Sequence, residues 1–389
     1  MLSLIDSVRA GLSSTSELKR AVVTKRSFTL KIVKDWKLRD VHYAAVNCMD
    51  IDPKEHRYLL SGSDDGTISV HDLLYYSGSC RYSAKSSLKS AKVLHLIERS
   101  HGELQCLQWY PFDSRLFVST GLDRKVKLWD SNTMALTFET KLNGMIFHHE
   151  VSKVPSQNYL VAAATQDKNV ILLDLKSGSK SHELSGHSSH VLTCHWSPRE
   201  EALLATSSSD GQILLWDIRS AKGCLKSLDQ HNGKGGAGKF SPSTAHDGGV
   251  NGLRFTGNGF FLVSFGVDSK LRVWDVVNGT NLMVNFGTTR NNSEFQVIQM
   301  DVTSFDNEHD LVFVPCGSSV IAYEIMTGVK VKELGHSGQF WCCTFEPWYQ
   351  QLFSGGSKQP ILCWASDIHQ MRKTLTDKVG RSVSKNKFH

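Results

Sequence analysis

The chain has 389 residues, of which 40% are hydrophobic, and it carries a formal net charge of +6 at pH 7. This composition allows a sizeable core, and no apolar run approaches the roughly 20 residues that a membrane helix needs. So modest a charge does not indicate direct, sequence-specific binding of nucleic acid. We therefore expect neither a membrane span nor a domain that reads DNA or RNA sequence.

Cysteine usage favours a reduced compartment. The nine Cys residues form no C-x-x-C pair and no Cys/His cluster with zinc-binding spacing. Asp6 and Arg9 stand where a signal peptide would be apolar. We expect an intracellular protein with no metal and no cofactor.

Residues 1–26 predict a helix-loop-helix. The first helix has an apolar stripe made by Leu4, Ile5, Val8 and Leu12. Gly11 stands where a C-terminal cap is expected. Ser14 and Glu17 form a capping box that begins the second helix, with Leu18 on its apolar side. Two such short helices have no core of their own, so they either pack on the rest of the chain or dock into a partner.

Residues 27–33 predict a strand. Phe28, Leu30 and Ile32 alternate with polar residues, which is the pattern of a strand with one buried face.

One pattern then recurs seven times, each time as an alternating apolar segment that ends in Trp-Asp or a near copy of it. The copies lie at 61–72, 119–130, 162–174, 206–217, 264–275, 315–324 and 354–365. Their reference positions are 58, 44, 43, 58, 49 and 41 residues apart. A period of roughly 40–45 residues with this ending is typical of WD-repeat β-propellers, in which each repeat supplies one blade.

The repeats therefore predict an all-β fold, a seven-bladed WD-repeat β-propeller with an N-terminal helix-loop-helix extension. The propeller would occupy residues 27–366, with 27–33 as the outer strand of the last blade, closing the ring and removing its free edge. The basic tail 367–389 is expected to be disordered, with nuclear localisation or phosphate contact as the alternative.

A second signal runs in step with the first: a His, a Ser or Thr, an Asp and a Trp recur at fixed spacing. The complete sets are His101, Ser119, Asp123 and Trp129; His187, Thr206, Asp210 and Trp216; and His246, Ser264, Asp268 and Trp274. His and hydroxyl also occur together in the first repeat (His42, Ser61) and the last (His336, Ser354), and both are missing from the third and sixth. We interpret them as structural tetrads, since a buried imidazole without its partner is unfavourable.

The same residue types form the triad of a serine hydrolase. However, an enzyme needs one such site, this set occurs several times at identical spacing, and no G-x-S-x-G elbow is present. We expect no catalytic residues.

Two long steps mark insertions, around 77–92 and 229–249. In the second, Gly233 to Lys239 matches two phosphate-loop patterns. Phe240 replaces the Ser or Thr that would hold magnesium, and Pro242 follows, so no helix N-terminus is there to receive a phosphate. We interpret this segment as a flexible loop.

Partner binding is expected on the top face, at the residue just beyond the start of each first strand. These positions are Asn47, Gln105, Leu192, Asn251 and Trp341, with Glu103, His190 and Gln339 beside them. Trp341 is the strongest candidate anchor, because an aromatic residue beside a channel mouth is a typical contact. Core packing is the alternative, although Phe340 already takes the inward position.

Four segments carry a more specific resemblance. They are LLWDIRSAKGCLKSLDQHNGK (214–234), TAHDGGVNGL (244–253), ILLDLKSGS (171–179) and QWYPFD (108–113). With them, the chain resembles the Cockayne syndrome group A family over roughly residues 1–366. That family consists of WD-repeat substrate receptors of a cullin–RING ubiquitin ligase that acts in transcription-coupled nucleotide excision repair.

The resemblance implies a nuclear, non-catalytic adaptor. The helix-loop-helix would insert into the damaged-DNA-binding adaptor of the ligase through Leu4, Ile5, Val8, Leu12 and Leu18. A Trp-Asp-x-Arg box, matched here by Trp216, Asp217 and Arg219, would support that contact. The top face would bind repair factors or stalled RNA polymerase. The basic tail departs from the acidic tail of the family. The alternative is a WD-repeat scaffold of another class, such as a histone-binding chromatin protein.

Overall fold

The computed structural model describes residues 10–11, 14, 25–38, 42–77, 81–89, 104–153, 160–220, 223–233, 244–289, 296–303, 310–357 and 360–366. The helix-loop-helix predicted for 1–26 and the tail 367–389 lie almost wholly outside these residues. Their structure therefore stays a prediction.

The described residues form seven four-stranded antiparallel units, numbered here as blades 1 to 7. Their strands are β2 Val46–Ile51, β3 Tyr58–Ser63, β4 Thr67–Ser77 and β5 Arg81–Lys89 (blade 1); β6 Leu104–Trp109, β7 Leu116–Gly121, β8 Lys125–Asp130 and β9 Ala135–Lys141 (blade 2); β10 Ile146–Val151, β11 Leu160–Thr165, β12 Asn169–Asp174 and β13 Ser179–Ser185 (blade 3); β14 Val191–Trp196, β15 Leu203–Ser208, β16 Ile213–Asp217 and β17 Cys224–Ser227 (blade 4); β18 Val250–Phe255, β19 Phe261–Gly266, β20 Leu271–Asp275 and β21 Thr280–Asn281 (blade 5); β22 Asp301–Val302, β23 Leu311–Cys316, β24 Ser319–Glu324 and β25 Lys330–Gly335 (blade 6); and β26 Phe340–Glu346, β27 Gln351–Gly356, β28 Leu362–Ser366 and β1 Leu30–Leu38 (blade 7).

The blades form a closed ring around a central channel. The first strand of each blade, called its inner strand, contacts the inner strands of both neighbours, and β26 contacts β2. The predicted all-β, seven-bladed propeller is therefore confirmed. The top face is the side on which the inner strands begin, and the bottom face is the side on which they end.

The hydrophobic core lies between successive blades. Leu60 and Val70 of blade 1, for example, pack against Trp109, Phe117 and Trp129 of blade 2. Every residue of β11 is buried because both faces of this strand are covered by neighbouring blades. The outer strand β9 instead alternates exposed and partly buried residues. Two-sided burial explains why the middle strands read as nearly continuous apolar runs.

The ring is closed by a strand from the start of the described chain. β1 pairs antiparallel with β28, with Leu30 opposite Ser366 and Ile32 opposite Trp364. The strand begins at Leu30 and not at residue 27, because 25–28 form one helical turn that leaves Phe28 41% exposed. β1 also pairs in parallel with β5, so blades 1 and 7 share one eight-stranded sheet.

A β-bulge interrupts the inner strand of six blades near the top face. The residues skipped by the pairing register are Asn47, Gln105, Phe147, Leu192, Asn251 and Trp341. A bulge locally bends a strand and re-aims its side chain. The positions selected from the sequence as the top-face ring are therefore bulge residues, not regular strand residues.

Blade 6 is the irregular one. Its inner strand β22 has two residues, and the preceding segment 296–300 runs between the inner strands of blades 5 and 7. There Ile298 N donates to Asn251 O at 2.9 Å, and Gln299 N donates to Trp341 O at 3.0 Å. The side-chain amide of Gln299 reaches past blade 7 and hydrogen-bonds to both main-chain groups of Met49 in blade 1.

Candidate protein-interaction surfaces

Blade 5 contains a complete hydrogen-bonded tetrad. Trp274 Nε1 donates to Ser264 Oγ at 2.9 Å, and this hydroxyl lies 2.7 Å from His246 Nε2. His246 Nδ1 lies 2.9 Å from Asp268 Oδ1. A Cβ added at Gly266 would come within 2.3 Å of His246 Nδ1 and 2.5 Å of Asp268 Oδ1, so the network itself requires glycine there.

The ionisation of this tetrad follows from its burial. Burial lowers the pKa of His246 and keeps the ring neutral. Although burial opposes ionisation of Asp268 as well, the hydrogen bond from His246 and the charge of Arg272 hold the pKa of Asp268 below its usual range. A neutral imidazole thus donates to an ionised carboxylate, which ties a turn to two strands.

Blade 4 has the same chain of indole, hydroxyl and imidazole with a threonine, but its His and Asp are farther apart. Thr206 Oγ1 accepts from Trp216 Nε1 at 2.7 Å and lies 2.8 Å from His187 Nε2. Asp210 Oδ2 lies 3.8 Å from His187 Nδ1 and accepts the backbone N–H of Ser188 at 2.9 Å.

The other blades carry partial versions. In blade 2 Trp129 Nε1 donates to Ser119 Oγ at 2.8 Å and Asp123 pairs with Lys127, whereas His101 lies outside the described residues. In blade 1 His71 replaces the tryptophan and lies 3.1 Å from Ser61 Oγ, which is 2.7 Å from His42.

Blade 7 corrects one expectation. Trp364 Nε1 donates to Ser354 Oγ at 2.8 Å, as the spacing predicts. His336 does not join them: it is exposed, and its Nδ1 lies 3.3 Å from the carbonyl oxygen of Ser337. In the turn that holds His336, Gly338 has a φ of 105°, whereas the equivalent residues Ser189 of blade 4 and Gly248 of blade 5 have no positive φ, so the backbone takes a different path.

The tetrad hydroxyls have no access to a substrate. Ser264, Ser354 and Thr206 are all 0% exposed, and each accepts an indole N–H. Burial also raises the pKa of the Cys106 thiol to about 12, which removes it as a nucleophile at neutral pH. These groups hold blades together.

The predicted top-face residues divide into two groups, those that are buried, among them Leu192 at 8% exposure, and those that remain accessible. Asn47 and Asn251 are buried and form ties within the ring, with Asn47 Nδ2 donating to Leu104 O at 3.0 Å and Asn251 Nδ2 to Gln296 O at 2.7 Å. Their assignment as partner contacts is wrong, because the bulge turns these short amides toward neighbouring main chain.

The second group remains accessible. Gln339 and His190 are exposed, and Gln105 and Trp341 are partly exposed. Phe340 is 3% exposed, so the neighbouring Trp341 is not required to fill the core. Glu103 lies outside the described residues.

Two aromatic residues of the top face were missed by the sequence analysis. Phe147, partly exposed, is the bulge residue of blade 3, and Tyr43 is 90% exposed in the turn before β2. Phe147 belongs to a repeat without the His and hydroxyl. Counting four residues back from Val151, the last residue of β10, gives this position.

On the bottom face, the three residues of the Trp-Asp-x-Arg box have different roles. Trp216 is 1% exposed and belongs to the blade 4 tetrad, so its indole is not a contact surface. Arg219 Nε and Nη2 donate to the two carboxylate oxygens of Asp217 at 3.0 and 2.8 Å. This hydrogen bonding holds the pKa of Asp217 below its usual range and fixes a guanidinium whose side chain is 75% exposed. The helical residues Leu4, Ile5, Val8, Leu12 and Leu18 lie outside the described residues.

The LDQHNGK segment begins at residue 228, between blades 4 and 5, and hydrogen-bonds to blade 5. Asn232 Nδ2 donates to Asn281 O at 2.9 Å, and Asn281 N donates to Asn232 Oδ1 at 2.7 Å, so a side-chain amide replaces one rung of a sheet. Gln230 Oε1 accepts from Arg272 Nη2 at 2.6 Å. The most distinctive sequence segment therefore has a structural role.

No helix among the described residues is long and apolar enough to cross a membrane. Within the same part of the chain, no group of three or more His, Cys, Asp or Glu side chains could hold a metal ion.

Comparisons with known proteins agree with this architecture. Residues 36–72, 92–130, 178–217 and 239–275 match the family described as WD domain, G-beta repeat. The WD repeat-containing protein ATCSA-1 of Arabidopsis thaliana is 30% identical over 394 residues, which cover 83% of this chain and 86% of that protein. A ribosome biogenesis protein WDR12 homolog of Drosophila mojavensis is 27% identical over 239 residues, covering 59% of this chain and 54% of the relative.

Proposed function

Because the chain belongs to the WD-repeat protein family, we propose that it is the non-catalytic substrate-recognition subunit of a cullin–RING ubiquitin ligase that acts in transcription-coupled nucleotide excision repair. The damaged-DNA-binding adaptor of the ligase would bind the helix-loop-helix and the bottom face. Repair factors or stalled RNA polymerase would bind the top face, in the nucleus.

The observation that carries the proposal is the Asp217–Arg219 pair. The resemblance assigns a Trp-Asp-x-Arg box to adaptor binding, and here the Arg is both exposed and held in a fixed geometry by two hydrogen bonds. A pre-oriented guanidinium loses less conformational entropy on meeting an acidic partner than a free one would. The match to ATCSA-1 over most of both chains supports the same assignment.

The ligase half of the proposal is tested by co-purification with the recombinant adaptor. Deletion of residues 1–26 is expected to abolish the association and leave the propeller folded. Leu4→Asp combined with Val8→Asp should reproduce the deletion, because it places charge in an apolar groove. An unchanged affinity in either variant would show that the helix-loop-helix is not the docking element.

Arg219 has a matched control in blade 2. Arg115 makes the same bidentate bond with Asp113 and its side chain is 72% exposed, also on the bottom face. Arg219→Glu should weaken adaptor binding by about tenfold, or roughly 1.4 kcal/mol, while Arg115→Glu leaves it unchanged. Equal effects of the two variants would indicate general electrostatics and not a specific contact.

The top-face half is tested with Trp341→Ala. Loss of an anchoring aromatic should weaken binding of the substrate factor by about 2 kcal/mol or more, with melting temperature and adaptor binding near wild type. Phe340→Ala is the control, because removing this buried ring should lower stability by roughly 3–5 kcal/mol. If Trp341→Ala behaves like Phe340→Ala, Trp341 is a core residue and the anchor assignment fails.

A WD-repeat scaffold of another class is the second candidate. The WDR12 homologs are named for ribosome biogenesis, but the chain spans about half of the length of the first of them, 54%. Affinity purification with mass spectrometry separates the outcomes: the ligase adaptor supports the first proposal, whereas histones or ribosome-assembly factors without the adaptor would replace it.

A further inference from the structure

The central channel holds a ring of polar side chains, one from each blade. Each is the fifth residue of its inner strand, except in blade 6, where it is Asp301, the first residue of the two-residue strand β22. In four blades this residue accepts a backbone N–H of the following blade. The four bonds are Trp109 N to Asp50 Oδ2 at 2.7 Å, Val151 N to Gln108 Oε1 at 2.7 Å, Phe345 N to Asp301 Oδ2 at 2.8 Å, and Trp196 N to Glu150 Oε2. His195, Arg254 and Thr344 complete this channel ring, which lines a cavity of about 400 Å³.

Gln108 shows that a neutral amide is enough for this inter-blade bond. Its bond to Val151 N has the same length as the bond between Asp50 and Trp109 N. The seam between blades therefore does not need a carboxylate, and a carboxylate surrounded by protein is costly without a counter-ion. Three blades nevertheless have a carboxylate at this position, although an amide could accept the inter-blade N–H equally well. These residues are Asp50, Glu150 and Asp301.

Two of these three carboxylates have a cation beside them. Asp301 pairs with Arg254 at 2.8 Å, and Glu150 pairs with Lys153 at 3.0 Å. Asp50 forms no ion pair with any of the described residues. Burial raises the pKa of Asp50 to about 7, against the lowering effects of the Trp109 N–H and of the more distant Lys153 and Arg254.

Among the described residues, the cavity at the channel ring is open toward the bottom face. Above it, the side-chain amide of Gln299 hydrogen-bonds to the main chain of Met49. Below it, the cavity extends to the turns that follow the inner strands, at Pro53, Pro111 and Pro347. Beside that opening stands Trp348, 71% exposed, with its ring 5.5 Å from the ring of His56.

We propose that the lower part of the channel receives one arginine or lysine side chain from a protein that docks on the bottom face. Asp50 would be its carboxylate partner, and Trp348 would be the aromatic contact at the opening. A cation there supplies the counter-ion that Asp50 lacks among the described residues, and an exposed indole attracts cations and serves as an interface anchor. The inference does not require that the partner is a ligase component.

The test uses the full-length protein and two capped tripeptides as probes. Acetyl-Gly-Arg-Gly-amide carries the guanidinium, and the same peptide with citrulline is its uncharged isostere. Titration calorimetry is expected to give saturable binding of the arginine peptide and at least tenfold weaker binding of the citrulline peptide. Equal affinities would overturn the proposal.

A reciprocal pair of variants locates the site. Asp50→Asn should retain the bond to Trp109 N, because the amide oxygen can accept it as that of Gln108 does. It should weaken binding of the arginine peptide at least tenfold. Gln108→Glu should strengthen binding of the arginine peptide, because it adds a carboxylate to the channel ring. The wild-type affinity should rise between pH 6 and pH 8 as Asp50 loses its proton. An affinity unchanged by Asp50→Asn and independent of pH would place the binding elsewhere.

Trp348→Ala tests the opening. This variant should weaken binding of the arginine peptide about threefold or more and leave the melting temperature unchanged. Val277→Ala, at another apolar residue that is 66% exposed, is the control and should have no effect. A loss in the control equal to that in Trp348→Ala would contradict the assigned position. No ligase subunit takes part in these titrations, so their outcome is distinguishable from that of the adaptor experiments.

Discussion

In blade 5 the hydroxyl of Ser264 lies between an indole and a buried imidazole, whereas in blade 7 the hydroxyl of Ser354 accepts an indole N–H and the histidine of the repeat is exposed. Blade 5 adds Arg272, which lies 2.8 Å from Asp268. The repeats of these two blades share the His, the hydroxyl and the Trp, but the repeat of blade 7 has Lys358 where blade 5 has Asp268, and their hydrogen-bond networks differ in size.

Blade 7 is held in another way. Its outer strand is β1, which comes from the other end of the propeller sequence, and Leu30 of that strand is fully buried against Trp364 and Phe340. A strand that joins the two ends of the ring removes two free edges at once. The comparison indicates that side-chain networks stabilise blades 4 and 5, while blade 7 relies more on main-chain pairing and apolar packing.

The largest expected effect comes from removing the central hydroxyl of each network. Ser264→Ala leaves both Trp274 Nε1 and His246 Nε2 buried without a partner, so it should lower the free energy of unfolding by roughly 2–4 kcal/mol. Ser354→Ala strands one indole N–H and should lower it by about 1–2 kcal/mol. Urea unfolding of the two variants measures the difference. Losses of equal size would refute the distinction between the two blades.

The next pair of variants compares blade 4, which has a side-chain network, with blade 3, which has none. The first variant is Asp210→Ala in blade 4. It removes the acceptor of the Ser188 N–H and the neighbour of His187, and should destabilise by roughly 1–3 kcal/mol. Asp167 occupies the equivalent turn position of blade 3, where Ala163 replaces the hydroxyl, and it is exposed. Asp167→Ala should therefore be close to neutral. The tetrad argument does not survive if both variants melt at the same reduced temperature.

These contrasts also show which features of the fold and of the candidate surfaces can be predicted from the sequence. The number of blades and the Trp-to-hydroxyl bonds follow from spacing, because a blade repeats its local geometry. The spacing does not predict that His336 is exposed or that Asn47 and Asn251 hydrogen-bond to neighbouring main chain. These features depend on β-bulges and turns. The same holds for segment 296–300, whose contacts join residues up to 250 positions apart.

The acid limb of the stability curve provides a finer comparison. The folded-state pKa of Asp268 lies below that of an unfolded chain, so its contribution is present above about pH 4 and is lost as the pH falls below it. The stability difference between wild type and Asp268→Asn should shrink from pH 6 to pH 3. A difference that stays constant over this range would mean that ionisation of Asp268 contributes nothing.

The smallest effect is expected at His336, and it is the most direct test of the correction in blade 7. His336→Ala removes an exposed ring, so the free energy of unfolding should change by less than about 0.5 kcal/mol. His246→Ala in blade 5 removes a side chain that is 1% exposed and leaves Asp268 and Ser264 without their shared partner. Its loss should be several times larger. Because the two histidines occupy equivalent positions in the repeat, a large loss for His336→Ala would mean that His336 bonds to Ser354 in solution, and the correction in blade 7 would then be wrong.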